Sequence, residues 1–200
     1  MPRIVDHDSR RSAIAAAACR VIAQRGIDGL KLTDVGTAAG CTTGAITHYF
    51  ADKNAVLVAA LDHAIGAMNL RIERRLARAP GDVLGFLSET LPIGSRGRAE
   101  IVVWYSFWAR ALSDPALVRR QRGMHKRWRA QVGRCLAGMA ERGEIAPADD
   151  PVEQAEGLCA VINGIGLRAS LDPGEWPARR QVGQLRRYLD LLRAGSGDGV

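Results

Sequence analysis

The chain is predicted to be all-α, with a small N-terminal three-helix domain and a larger helical body. Three observations predict this. Ala, Leu and Arg are abundant, while runs of alternating β-branched and aromatic residues are scarce. Apolar residues recur every three or four positions through most of the sequence. Gly and Pro punctuate that pattern at helix-length intervals, at Gly26, Gly40, Pro80-Gly81, Pro115, Gly143 and Pro151.

The elements follow in order. Residues 1–7 read as an arm. Asp8 or Ser9 can cap a first helix that ends near Arg25, with Ile14, Ala17, Ala18, Val21 and Ile22 on its buried face and Gly26 closing it. Leu32, Val35, Ala38 and Ala39 set a short second helix that stops at Gly40. Thr42 or Thr43 caps a third, from Thr43 to Tyr49. A long fourth helix runs from Lys53 to about Ala79 through Val56, Leu57, Leu61, Ile65, Met68, Ile72 and Leu76. Further helices are expected over about 82–91, 98–112, 116–142, 150–171 and 177–193, with a break at Pro92, Gly94 and Gly97 and a polar tail, GSGDGV. The domain boundary is placed between residues 52 and 53, giving a head of 1–52 and a body of 53–200.

Composition excludes several classes. No apolar h-region occupies residues 1–18 and no run of about 18 apolar residues is evident, so the chain reads as cytosolic, with no membrane partner. Cys19, Cys41, Cys135 and Cys159 are widely spaced without a CxxC pair, which favours reduced thiols over zinc or disulfides. His7, His48, His63 and His125 fall in no metal-ligand spacing. No nucleophile elbow, phosphate-cradling loop or dinucleotide fingerprint is present, so neither a catalytic residue nor a cofactor is implied. The net charge of +7 is compatible with a polyanionic partner. Residues 1–53 hold only seven basic groups against five acidic ones, and the larger excess lies in Arg119, Arg120, Arg122, Lys126, Arg127, Arg129 and Arg134. That run reads as a solvated helix face, with a second nucleic-acid site as the alternative.

The stretch LTDVGTAAGCTTGAITHYFADK, residues 32–53, reads as a helix-turn-helix. Gly40 makes the turn and Cys41 plugs it. The second of the two helices shows Thr43, Gly44, Thr47 and His48 outward and leans Ala45 and Ile46 on the core. Small polar side chains at a helix N-terminus suit entry into a major groove. Thr33 and Thr42 border that surface, and Tyr49 and Lys53 follow where a duplex backbone would pass. The pattern AGCTTGAITHYFADKNAVL resembles the TetR family of one-component repressors, in its Ala-Gly turn, its Tyr49-Phe50 pair and the Lys53 after an acidic turn. HYFADKN, WYSFWARALSDP and INGIGLRASL are most similar to BetI-like members, which respond to choline. The resemblance implies a homodimeric repressor on a palindromic double-stranded operator, released by a small-molecule inducer. A helical ligand-binding or scaffolding protein with a vestigial helix-turn-helix is the competing class. Two positions depart from the family: Lys31 stands where a Ser or Thr cap is usual, and Gly36 replaces the usual Ala, which should weaken the second helix by about 1 kcal/mol.

In the body, Trp104, Tyr105, Phe107 and Trp108 form an aromatic cluster. It is read either as core or as a ligand cage made by Trp104, Tyr105 and Trp108 with Asn163. Few acidic residues stand beside the tryptophans in sequence, which favours an apolar molecule or a delocalised cation. Gly157, Gly164 and Gly166 lie within one helix and invite close packing. Leu158, Ile162 and Ile165, with Leu185 and Leu189 of the last helix, are expected at a four-helix dimer seam; packing inside the subunit is the alternative.

Overall fold

The structure is a computed structural model that describes residues 7–194; residues 1–6 of the expected arm and the tail from 195 onward lie outside them, and His7, expected in the arm, begins the first helix. Among the described residues there are nine α-helices and no strand: α1 His7–Arg25, α2 Leu32–Ala39, α3 Thr43–Tyr49, α4 Lys53–Arg78, α5 Val83–Ser88, α6 Gly94–Ala111, α7 Pro115–Glu141, α8 Pro151–Leu171 and α9 Ala178–Ala194.

Local chemistry explains most of the boundaries. Five helices begin at an Asp or Thr whose side-chain oxygen accepts a backbone N–H, as each orphan helix start requires, among them α5, where Asp82 accepts from Gly85 at 2.9 Å. Thr42 Oγ1 accepts from Ala45 at 3.1 Å, Asp52 from Ala55 at 2.7 Å, Asp114 from Ala116 at 2.9 Å and Asp150 from Val152 at 2.9 Å. The two Asp-Pro starts add a proline where the missing N–H costs nothing. Of the two threonines that could cap α3, Thr42 does so. Lys31 stands at the α2 N-cap without a side-chain hydrogen bond.

Two boundaries differ from the sequence reading. α5 stops at Ser88 and not near 91, because the chain tightens there into successive short turns, Thr90 N–H to Leu87 and Leu91 N–H to Ser88. α6 starts at Gly94, and Gly97 does not break it: Gly97 is buried inside the helix, where a Cβ would meet the Leu91 carbonyl oxygen at 2.9 Å.

Two hydrophobic cores organise the molecule. The upper one joins Ile14, Ala18, Ile22, Val35, Ile46 and Phe50 of the head to Val56, Leu57 and Leu61 of α4, and continues into Val103 and Phe107 of α6 and Leu117 and Met124 of α7. The head is therefore seated on the body through α1, which packs on both α4 and α6. The lower core gathers Ile72, Phe86, Leu87, Val132, Leu136, Met139, Leu158, Ile162, Leu185 and Leu189 from α4, α5, α7, α8 and α9. α4 runs through both. By length and hydropathy it could cross a membrane, which corrects the expectation that no such stretch exists, but Val56, Leu57, Leu61 and Ile72 are buried in the two cores.

The five residues expected at a dimer seam belong instead to the core of the subunit. Leu158, Ile162, Ile165, Leu185 and Leu189 are all buried inside the subunit, from 0% to 6% exposed, so they have no surface left to give a partner. The exposed stripe lies two residues further along α8, on the opposite face of the helix. The outward stripe of α8 is Ala160, Gly164, Leu167 and Leu171, and on α9 Leu191 is exposed. Two of the three glycines pack internally. A Cβ on Gly157 would lie 3.1 Å from the Tyr188 hydroxyl, and one on Gly166 would lie 2.7 Å from the Tyr105 hydroxyl, whereas Gly164 faces open space.

Candidate nucleic-acid interface and ligand cavity

The tip of the head is assembled from α2, α3 and the start of α4. Gly40 takes φ +65°, a left-handed conformation open to glycine at little cost, and its N–H closes α2. The chain then folds back so tightly that a Cβ on Gly36 would sit 2.7 Å from the Cys41 carbonyl oxygen. Gly36 is thus not simply a weak point of α2; its lack of a side chain lets this turn close as it does.

All eight expected DNA-facing residues reach the surface. Thr33, Thr42, Thr43, Gly44, Thr47, His48 and Lys53 are exposed and Tyr49 is half-buried. Some of their polar capacity is already spent within the head. The Thr42 hydroxyl caps α3, and Thr47 Oγ1 donates to the Gly44 carbonyl at 3.0 Å, leaving its lone pairs and methyl outward. His48 and Tyr49 pack edge to face at 5.3 Å, and His7, which the sequence reading left without a role, lies 4.6 Å from the Tyr49 ring.

Two arginines of α1 also escaped the sequence reading. Arg11 donates to the Tyr49 carbonyl at 2.7 Å and stacks its guanidinium 4.4 Å over the Phe50 ring. Arg20 donates to the Ala38 carbonyl at 2.8 Å. Each places a cation on the orphan carbonyls at the C-terminal end of a short helix, where the helix dipole favours it. Arg25 pairs with Asp34 across α1 and α2. The first helix therefore fixes the orientation of the other two.

A cavity of about 390 Å³ lies where the two cores meet. Ile65, Trp104 and Met124 reach it from the upper core, and Met68, Trp128 and Ile162 from the lower. Trp104, Tyr105 and Asn163 line it as expected. Trp108 does not: it is corrected to a packing residue, half-buried against the upper core one turn beyond Trp104, with its ring 5.8 Å from that of Trp104 and 5.7 Å from that of Tyr105. Its Nε1 is buried without a hydrogen-bond partner among the described residues. Trp128, on α7, takes the place expected of Trp108 and stacks 5.7 Å from Phe86. The Tyr105 hydroxyl donates to the Asn163 carbonyl at 2.9 Å, and burial raises its pKa. That bond joins α6 to α8 over Gly166.

The scarcity of acid beside the tryptophans is also corrected. Glu100, one turn before Trp104, and Glu89 both line the cavity. Both carboxylates are engaged. Arg71 of α4 grips Glu100 through two hydrogen bonds of 2.8 and 2.6 Å and donates Nε–H to Glu89 at 3.1 Å. Arg75 completes Glu89 at 3.0 Å and reaches Asp82 at 2.9 Å. The hydrogen bonds to Glu100 are the largest cause of a raised Arg71 pKa.

The remaining reactive groups are quiet. Burial pushes Cys19 and Cys159 up to about 11, so both stay thiols near neutral pH. Among the described residues no group of His, Cys, Asp and Glu could hold a metal ion.

Comparison with known proteins agrees with both halves. Residues 14–60 match the model of the tetR family of bacterial regulatory proteins, and residues 81–194 match the C-terminal domain of BetI-type transcriptional repressors. The HTH-type transcriptional regulator BetI of Burkholderia cenocepacia is 29% identical over 198 residues, covering 97% of this chain and 99% of the relative. The BetI of Paraburkholderia phymatum is 26% identical over 200 residues, covering 98% and 99%. A transcriptional regulator from Rhodococcus sp. Rha1 superposes with a TM-score of 0.79 at 25% identity, covering 95% of this chain and 98% of that one. A regulator from Saccharomonospora viridis, solved in complex with choline, shares the fold with a TM-score of 0.77 at 20% identity, covering 92% and 96%. A helix-turn-helix head locked to a hollow helical body, matched along nearly its whole length, makes this chain a member of the TetR family of transcriptional regulators, with a BetI-type C-terminal domain.

Proposed function

We propose that the chain is a homodimeric repressor that holds its two α3 helices in successive major grooves of a palindromic operator, and that a small molecule in the body cavity releases it. The observation that carries this reading is the position of the cavity. Its walls come from the core that seats the head and from the core of the body, so an occupant touches both. A molecule that fits better when the two cores are set differently shifts the population towards that arrangement, and the half-site spacing is lost. The choline complex of the Saccharomonospora viridis regulator supports a small-molecule effector for this architecture. The exposed stripe of α8 with Leu191 of α9 is the surface assigned to the partner subunit.

Within the head, Thr43, Gly44, Thr47 and His48 would face base edges, and Thr33, Thr42, Tyr49 and Lys53 would face phosphates. The test is binding to DNA tiled across the upstream region, read by fluorescence anisotropy over a range of salt. Lys53→Ala is expected to weaken operator and random DNA alike, with the salt slope falling by about one phosphate contact. Thr47→Ala is expected to cost about 1 kcal/mol on the operator and less on random DNA. Equal losses from both variants on both DNAs would overturn the division of roles. Failure to bind any palindromic DNA at low salt would favour a helical ligand-binding protein with a vestigial helix-turn-helix.

A further inference from the structure

The cavity is apolar inside and cationic at its edge. Met124 and Trp128 of α7 wall its interior, and on the same helix Arg127, Gln131 and Arg134 follow at spacings of four and three residues, which brings them onto one face. Arg127 and Arg134 line the cavity and are exposed, whereas Met124 is buried and Trp128 half-buried, so the guanidinium groups stand at the rim. Neither guanidinium has a hydrogen-bond or ion-pair partner among the described residues, although Arg120 and Arg129 of the same helix are paired, with Asp62 and Glu156.

The acids of the cavity do not offset them. Glu89 and Glu100 each have both carboxylate oxygens taken by Arg71 or Arg75. Arg71 and Arg75 hold these two carboxylates together with that of Asp82, so every acid of the network is engaged, and the charged side chains of the cavity lining left without a partner among the described residues are Arg127 and Arg134. A cation entering it would have to take a carboxylate from a bidentate arginine and pass two unpaired positive charges. An anion meets two free forks of N–H donors, whose geometry suits a carboxylate.

We infer that this cavity takes an amphiphilic anion, an organic molecule with an apolar chain or ring between Trp104 and Trp128 and a carboxylate at Arg127 and Arg134. The inference rests on reading the cavity as the effector site. It concerns the class of ligand and stands apart from whether binding releases DNA. The uncharged amides of Asn69, Gln131 and Asn163 and the hydroxyls of Thr90 and Tyr105 also line it and add no competing charge.

The experiment uses the full-length protein and matched probes that differ only in head group: octanoate, octylamine and octanol, and phenylbutyrate with phenylbutylamine. Binding is measured by calorimetry and by fluorescence of the tryptophans, of which Trp104 and Trp128 line the cavity. Each carboxylate is expected to bind about tenfold tighter than the amine of the same body, with the preference shrinking as salt rises. In Arg127→Ala/Arg134→Ala the preference should fall to within about twofold while the alcohol binds as before. Because both arginines are exposed and unpaired, this variant is expected to fold; its thermal unfolding is recorded alongside. Arg119→Ala/Arg122→Ala removes the same charge from α7 away from the cavity lining and should keep the preference. Amines that bind as tightly as carboxylates, a preference that survives loss of the rim arginines or vanishes equally in the control, or binding by none of the carboxylates would each overturn the inference. DNA release is scored separately. A carboxylate that binds without releasing DNA counts against the repressor mechanism and leaves the ligand class standing, and an amine that releases DNA through this cavity does the opposite.

Discussion

Glu156 shows how a single half-buried residue can carry a measurable pH signature. Its carboxylate, on α8, lies 2.9 Å from His125 Nε2 and 3.0 Å from Arg129 Nη1, both on α7. The contact with His125, and then that with Arg129, lowers its pKa below the ordinary glutamate value. A lowered carboxyl pKa means that the folded state binds the proton less readily than the unfolded chain. Its contribution is therefore complete above the ordinary carboxylate range and is lost as pH falls through the lowered value. The side chain is 37% exposed, so solvent screening keeps the effect small. Glu156→Gln is expected to cost under about 1 kcal/mol near neutral pH. In urea unfolding curves the gap between variant and parent should close as pH drops into the acid range. A gap that stays constant with pH would show that the staple between α7 and α8 is not electrostatic. At the same scale, Arg11 and Arg20 were invisible as caps in the sequence. Each bonds a carbonyl 38 or 18 residues away, and no local pattern encodes such a reach.

At the scale of elements, α4 is the member that both cores share, and Arg71 is its main polar tie. The guanidinium holds α4 to Glu89 just beyond α5 and to Glu100 on α6 at once, with side chains only 13% to 21% exposed. Removing one partner of such a cluster strands the others. Arg71→Met is expected to destabilise the protein by about 2–3 kcal/mol, and Arg71→Lys to recover only part of this because an ammonium cannot make the forked contact. Chemical denaturation gives the size of the loss. A Lys variant as stable as the parent would show that charge alone matters. The helix boundaries around α4 were legible because they rest on local chemistry: Asp52 before it, Asp114-Pro115 and Asp150-Pro151 before α7 and α8. The start of α6 was not legible. Gly97 looked like a breaker, and only the approach of the Leu91 carbonyl shows why a glycine stands inside a helix.

For the whole molecule, the proposed homodimer needs a surface that meets a second copy. Ala160, Gly164, Leu167 and Leu171 form one stripe of α8, with Leu167 45% and Leu171 70% exposed, and Leu191 of α9 is 69% exposed. Leucines left this open on two helices, next to small residues that permit close approach, suit an isologous seam. Leu167→Glu/Leu171→Glu is expected to shift sedimentation from dimer to monomer at micromolar concentration without loss of helix content, since neither side chain is in the core. Operator affinity should fall with it, by at least about tenfold, because one head alone makes half the contacts. A variant that remains dimeric would place the seam elsewhere.

The sequence by itself determined the number and order of the helices, the head with its turn at Gly40, and which side chains of α3 point outward. Those depend on caps, periodicity and glycine, all of which act within a few residues. It also placed Trp104, Tyr105 and Asn163 together, through motifs of a known family. Tertiary structure decided the rest. Leu158, Ile162, Ile165, Leu185 and Leu189 are apolar at helical spacing whether they face their own subunit or another, and only packing shows that they are spent inside. Trp104 and Trp108 share a face of α6 to within about 40° of helical turn, a difference that matters only once α4, α7 and α8 bound a cavity. The acids and bases of that cavity come from α6, α7 and the segment after α5, and their pairing with α4 settles which charges are free. A charge balance among side chains far apart in sequence depends on distances between helices, and those exist only in the folded chain.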